Sequence, residues 1–139
     1  MMRILALLLT LAPGVAAAQG CDRATPIRFA AGSSSGTVEG GVLRGDRDCF
    51  SVTARAGQTM RVEITSLENN AVFQLYSPGW RIGRDQDRIV VVTGKPLPGA
   101  AAGEDTMRWT GLLAEAGPHL IVVGGTRGNA GYRLVVVVQ

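Results

Sequence analysis

The chain has 139 residues and a formal net charge of +3, and of its 14 lysines and arginines all but Lys95 are arginine. The length favours one domain, and so small a charge, scattered along the chain, argues against a nucleic-acid partner. The first predicted element is a secretory signal peptide over residues 1–18, in which Arg3 precedes a short apolar run and small residues end the segment. Because that run is too short for a permanent membrane helix, we expect a periplasmic or secreted domain over residues 19–139 with no membrane span.

Cys21 and Cys49 are the two cysteines of the chain. In an oxidising compartment such a pair usually forms a disulfide, and this is our prediction. The alternative is a lipid anchor at Cys21, because a small residue precedes it as in lipoprotein signals, although Ala18 stands where these signals usually carry leucine. With His119 as the single histidine, the chain offers too few ligands for a zinc site, and no cofactor is predicted.

Nine segments of strand length follow one another along the mature chain. In order they read IRFA, TVEGGVL, CFSVTAR, TMRVEIT, AVFQLY, RIVVVT, MRWTGLL, HLIVVGG and YRLVVVV. TMRVEIT and CFSVTAR alternate apolar and polar residues, which indicates half-buried strands, whereas RIVVVT, HLIVVGG and YRLVVVV are apolar throughout, which indicates deeper burial. Segments 77–88 and 93–106 are rich in glycine, proline and charge and are predicted to be exposed loops. Eight or nine short strands without a helical pattern predict an all-β fold, an antiparallel β-sandwich of jelly-roll type.

The segment GSSSG, residues 32–36, fits the G-x-S-x-G pattern of hydrolases, with Ser34 at its centre and His119 downstream. That pattern works only where a strand turns sharply into a helix and exposes the serine hydroxyl beside an oxyanion hole. No helical pattern follows residue 36, so we interpret the segment as a flexible turn and predict that the protein is not an enzyme.

Trp80 is followed by Arg81 and further arginines in the segment GWRIGRDQDR. An exposed tryptophan among polar residues can stack on a sugar ring or anchor a protein contact. The alternative is a tryptophan folded back over the sandwich among solvated charges. A module that binds envelope polysaccharide through Trp80 and Arg81 is accordingly one functional hypothesis, and a structural domain without a ligand is another.

Residues 27–138 resemble small exported bacterial domains of the pre-peptidase C-terminal type. The resemblance is carried by FSVTARAGQTMRV, by NNAVFQLYSPG and by the final AEAGPHLIVVGGTRGNAGYRLVVVV. Standalone members of this type look like periplasmic lysozyme inhibitors, above all those that act on goose-type lysozyme. The resemblance therefore implies a β-sandwich whose partner is a lysozyme, with the goose type favoured.

The loop before the last strand carries Thr-Arg-Asn and a nearby second arginine in those inhibitors, and its first arginine is thought to enter the lysozyme cleft. Here the second arginine is missing, and so is an aromatic partner expected near the segment RGDRDCF. The glycines of GGTRGNAG argue against a rigid loop, and periodicity alone predicts a solvated hairpin tip. The resemblance implies that Thr126 and Arg127 bind the partner, and Asn129 fits the pattern loosely. Tyr132, which stands near the place of the missing arginine, is predicted to bind the partner as well.

Overall fold

The computed structural model describes residues 20–139, and the predicted signal peptide lies outside this range. The described residues form ten strands and no helix, which confirms the all-β prediction, so nothing in this range is a helix long and apolar enough to cross a membrane. The strands are β1 (Thr25–Pro26), β2 (Ser35–Val42), β3 (Arg47–Ala54), β4 (Thr59–Ser66), β5 (Ala71–Tyr76), β6 (Arg81–Arg84), β7 (Val90–Thr93), β8 (Arg108–Leu112), β9 (Gly117–Gly125) and β10 (Ala130–Val138).

Two four-stranded sheets, in the orders β1-β3-β9-β5 and β2-β10-β4-β8, form the sandwich, and β6 and β7 form a separate two-stranded ribbon. Every strand pair is antiparallel except β1 with β3. The chain crosses between the sheets from β2 to β3, from β4 to β5 and from β9 to β10. Ala130 at the start of β10 lies opposite Val42 at the end of β2. Arg47 at the start of β3 lies opposite Gly124 near the end of β9, so these crossings meet at one end of the sandwich.

The main core lies between the two sheets and follows the predicted alternation. Met60, Val62 and Ile64 of β4 are at most 4% exposed, and the residues between them point to the outer face. Phe50 and Val52 of β3 are buried in the same cluster. Each such side chain contributes about 2 kcal/mol by leaving water. The half-buried strands predicted for TMRVEIT and CFSVTAR are thereby confirmed.

Strand β9 is buried on both faces because the β6–β7 ribbon covers the outer face of its sheet. Leu120 and Val122 point outward yet are at most 1% exposed, since Trp80 and Ile82 pack against their cluster. The predicted deep burial is confirmed for this strand. It is wrong for RIVVVT, which supplies β7, and it holds only for every second residue of YRLVVVV in β10. A two-stranded ribbon has only one covered face, so Val91 remains 41% exposed.

Segment 93–106, predicted to be an exposed loop, covers the free edge of β5. The N–H of Leu97 donates to the carbonyl oxygen of Leu75, and the N–H of Leu75 donates to the carbonyl oxygen of Ala100, each at 2.9 Å. Leu97 and Ala100 are buried, so the prediction was wrong for this part of the segment. An uncovered sheet edge would leave backbone groups without partners, and the segment supplies those partners. Segment 77–88 also departs from its predicted loop, because it contains β6.

Cys21 and Cys49 form a disulfide, as predicted, and no cysteine of the described chain is free. Cys49 lies on the outer face of β3, so the bond fastens the segment that precedes β1 over that face. The N–H of Gly20 adds a hydrogen bond of 3.2 Å to Asp48 Oδ1. Because the bonded cysteines are 28 positions apart, loop closure alone stabilises the folded state by about 3.5 kcal/mol.

Candidate functional site: the three-turn end

The loop between β9 and β10, residues 126–129, crosses from one sheet to the other. Strand β9 lies between β3 and β5, and β10 lies between β2 and β4, so the two strands do not pair and the predicted hairpin tip is wrong. The loop stands beside two other crossing turns, 43–46 and 67–70, and we call the three together the three-turn end. The predicted site residues that are exposed in the loop are Thr126, Arg127 and Asn129.

Asn70 fixes the backbone of the β9–β10 loop. Its Nδ2 donates to the carbonyl oxygens of Arg127 at 3.1 Å and of Asn129 at 2.9 Å. Its own carbonyl oxygen accepts the N–H of Thr126 at 2.9 Å. Asn70 is 2% exposed, and its N–H donates to Ser66 Oγ. One buried side chain thus holds both halves of the loop, which offsets the freedom that the nearby glycines would give it.

The Arg127 side chain is tied to the neighbouring turn. Its Nη2 donates to the carbonyl oxygen of Glu68 at 2.6 Å, and Asn69 beside it adopts a positive φ of 51° that lets the turn close tightly. A guanidinium has five N–H donors, and this is the single hydrogen bond that the Arg127 side chain makes within residues 20–139. The group is therefore oriented at the surface with most of its donors available to a ligand.

Asn129 links the loop to the turn on its other side. Its Oδ1 accepts the backbone N–H of Arg44 at 2.8 Å. The loop is consequently held from both neighbours, by Asn70 in turn 67–70 and by Arg44 in turn 43–46. A loop whose conformation is fixed before it meets a partner loses less entropy on binding.

Two exposed leucines flank the loop. Leu67 is 102% exposed and Leu43 is 62% exposed, one in each neighbouring turn. Isolated apolar residues are common on protein surfaces, but these two stand on either side of Arg127 and its fixed loop. The three-turn end thus offers an arginine, the residue type among the most frequent at interface hot spots, together with exposed apolar area.

Tyr132 lies in the interior, so the prediction that it contacts a partner is wrong. It is 5% exposed, and its hydroxyl donates to Asp48 Oδ2 at 2.6 Å. Burial raises the pKa of Asp48, and burial together with the Asp48 carboxylate raises the pKa of Tyr132, so the tyrosine remains a donor. Because Tyr132 belongs to β10 and Asp48 to β3, the bond joins the two sheets next to the three-turn end and supports the loop from within.

Trp80 and Arg81 lie at the other end of β9. The indole Nε1 of Trp80 donates to the carbonyl oxygen of Pro118 at 2.8 Å, and its ring packs over the cluster around the disulfide. Pro118 is near the start of β9 and the loop follows its end, so the strand separates them by roughly 25 Å. Trp80 is half-buried and Arg81 is exposed. The structure therefore does not bring these two residues together with Arg127.

Ser34 and His119 are not joined by a hydrogen bond in the part of the chain that the structure describes. The hydroxyl of Ser34 accepts a hydrogen bond of 3.5 Å from Gln139. His119 is 1% exposed, its Nδ1 lies 3.1 Å from the carbonyl oxygen of Gly117, and burial lowers its pKa. Residues 20–139 contain no cluster of three His, Cys, Asp or Glu side chains suited to a metal ion. His119 is consequently a packed core residue.

The sequence interpretation missed three residues of this end, Arg44, Leu67 and Asn70. Asn70 carried a usable signal, because asparagine just before a strand often bonds to backbone groups nearby. Arg44 and Leu67 carried none, since only the pairing of strands distant in sequence brings their turns beside the loop.

Solved structures with a similar fold were found for three inhibitors. Aeromonas hydrophila PliG, a periplasmic lysozyme inhibitor of g-type lysozyme, matches with a TM-score of 0.63 and 26% identity, over 84% of this chain and 96% of that one. Salmonella Typhimurium PliG matches with a TM-score of 0.56 and 20% identity, over 84% and 98%. A PliG mutant of Escherichia coli matches with a TM-score of 0.56 and 20% identity, over 83% and 96%. This chain has the fold of the PliG inhibitors.

No protein-family model and no curated protein matches the chain. The resemblance to pre-peptidase C-terminal domains therefore stays a prediction. The three PliG structures are those of inhibitors and not of enzymes, which agrees with the prediction that this protein is not an enzyme.

Proposed function

We propose that this protein is a periplasmic or secreted inhibitor of g-type lysozyme that binds the enzyme with its three-turn end. The observation that carries the proposal is the similarity to Aeromonas hydrophila PliG, which extends over 96% of that chain. The predicted signal peptide at residues 1–18 also supports the proposal, because it would export the protein to a compartment that a lysozyme can reach.

Arg127 is the residue that blocks catalysis in this proposal. Lysozymes cleave a glycosidic bond with a protonated carboxylic acid in the cleft. A guanidinium beside that acid forms a charge-assisted pair with its ionised form and lowers its pKa. The acid then no longer protonates the leaving group, and the inserted loop also occupies the space of the sugar chain.

The fixed loop suits this role. An inhibitor that had to order its loop on binding would lose part of the interaction free energy. Here Asn70 and Asn129 hold the loop backbone in the free protein, and Glu68 holds the Arg127 guanidinium. The exposed Leu67 beside it supplies apolar area to the same contact.

A direct inhibition assay tests the proposal. The purified mature protein is titrated against g-type lysozyme, with chicken-type and invertebrate-type lysozymes as parallel targets. We expect inhibition of the g-type enzyme at micromolar concentrations or below and weaker inhibition of the other two. If none of the three is inhibited at micromolar concentrations, the proposed function is wrong. Inhibition confined to another type would overturn the choice of target.

A further inference from the structure

Arg44 lies beside Arg127 at the three-turn end, although the two are far apart in sequence. The two residues line one surface pocket of about 340 Å³. The rest of its lining consists of Gly45, Gly125, Thr126 and Gly128. The lining therefore includes two arginines and one threonine and no acidic residue.

The backbone of Arg44 is fixed relative to the loop that carries Arg127. Its N–H donates to Asn129 Oδ1 at 2.8 Å. The turn itself is closed by a hydrogen bond of 2.9 Å from the N–H of Asp46 to the carbonyl oxygen of Leu43. Gly45 has a φ of +84°, which only glycine adopts without strain. The backbones of both arginines are consequently fixed beside the pocket.

The two guanidinium groups have no acidic partner in residues 20–139. The ion pairs found there use other arginines, namely Arg84, Arg108 and Arg133. Two guanidinium groups that approach each other repel, and an anion bound between them removes that repulsion. The pocket thus favours an anionic ligand over a neutral sugar.

A carboxylate is the anion that fits this pocket in a protein contact. The planar fork of a guanidinium matches the two oxygens of a carboxylate, which lysine cannot reproduce. Thr126 lines the same pocket, and its side chain carries one more donor, the hydroxyl.

We propose that Arg44 is a second partner-contact residue and that Arg44 and Arg127 together hold one Asp or Glu carboxylate of the target enzyme. The inference rests on the proposed inhibition of g-type lysozyme and names the group on the enzyme that is bound. Because the pocket opens to solvent, the contribution of Arg44 falls as salt concentration rises.

The first test compares inhibition of g-type lysozyme by the wild type, Arg44→Gln, Arg127→Gln and the double variant. Arg55→Gln is the matched control, since Arg55 is exposed in the turn after β3 at the opposite end of the strands. We expect Arg44→Gln to weaken inhibition about tenfold, which is about 1.4 kcal/mol, and to reduce its salt dependence. The fold-loss of inhibition in the double variant should be smaller than the product of the fold-losses in the two single variants. Unchanged inhibition by Arg44→Gln would overturn the inference while leaving the proposed function intact.

The second test separates failure of the inference from failure of the proposed function. The free protein is titrated with propionate, which carries the carboxylate of a glutamate side chain, while nuclear magnetic resonance follows the Nε–H signals of arginine. We expect the Arg44 and Arg127 signals to move along one binding curve and the Arg55 signal to stay in place. Motion of these two signals without any lysozyme inhibition would support the carboxylate site and reject the proposed function. If neither signal moves more than that of Arg55, the shared carboxylate site is wrong.

Discussion

The hydroxyl of Tyr132 donates a hydrogen bond of 2.6 Å to Asp48 Oδ2, and this bond joins the two sheets next to the loop that carries Arg127. Both residues are only 5% exposed. A buried carboxylate costs free energy unless hydrogen bonds satisfy it, and here Tyr132 and the N–H of Gly20 both donate to Asp48. The pair thus links the two sheets through a buried hydrogen bond. Its loss should lower the stability of the sandwich next to the three-turn end.

Tyr132→Phe should destabilise the protein by about 1–3 kcal/mol at neutral pH, because it leaves a buried acceptor with one donor fewer. Urea denaturation measures the change in the free energy of unfolding. Tyr76→Phe is the matched control, since Tyr76 donates to the side chain of Gln74 on the outer face rather than to a buried acid. Equal stability losses in the two variants would contradict the special role of the Asp48 bond.

Asp48 should make stability depend on pH in an unusual direction. Burial raises its pKa above the ordinary value of 3.8 in the folded protein. The folded state therefore favours the protonated form, so the contribution of Asp48 is largest below pH 3.8 and is lost as the pH rises through the raised pKa. The Asp48→Asn variant does not titrate at this position. As the pH rises from 3.8 through the raised pKa, the unfolding free energy of the wild type should fall relative to that of the variant. Denaturation of both proteins across the acid range measures this, and a relative gain for the wild type would contradict it.

Asn70→Ala should free the β9–β10 loop, because it removes the two hydrogen bonds to the carbonyl oxygens of Arg127 and Asn129. We expect a stability loss of about 1–2 kcal/mol and faster amide exchange at residues 126–129. The matched control is Asn69→Gly, since glycine readily adopts the positive φ of 51° found at Asn69. Hydrogen exchange read by mass spectrometry compares the variants, and an unchanged loop in Asn70→Ala would show that the asparagine does not fix it.

Removing the disulfide should reduce stability without altering the proposed binding surface. The double variant Cys21→Ala and Cys49→Ala should lose about 3.5 kcal/mol of unfolding free energy through loop entropy. Its inhibition of g-type lysozyme should match that of the wild type wherever both are folded, because the bond lies on the outer face of β3 and not at the loop. A reductant should lower the unfolding free energy of the wild type by a similar amount. A variant as stable as the wild type would contradict the stabilising role of the bond.

The sequence predicted those features that depend on local pattern. Alternation along TMRVEIT identified the buried face of β4, because successive side chains of a strand point to opposite faces. The continuous apolar run RIVVVT was predicted to be deeply buried, and this was wrong. The burial of such a run depends on how many layers cover it, and β7 lies in a ribbon with one covered face. Local pattern also made the connection between β9 and β10 look like a hairpin, whereas these strands pair with partners distant in sequence.

The candidate site was predicted in part for the same reason. Arg127 was singled out by the resemblance to the lysozyme inhibitors, and it is exposed. The neighbours that define its surroundings, Arg44 and Asn70, come from other turns and are brought close by strand register alone. Tyr132 was misplaced because one position along a strand reverses the face to which a side chain points.

The most direct measurement of the central claim is the inhibition constant of Arg127→Ala against g-type lysozyme, with Arg81→Ala as the control. Arg81 is also exposed but lies in the ribbon, away from the three-turn end. We predict that wild type and Arg81→Ala inhibit equally and that Arg127→Ala is weaker by about 2 kcal/mol, or about 30-fold. A g-type lysozyme inhibited equally by all three proteins would contradict the claim that the Arg127 loop blocks the enzyme.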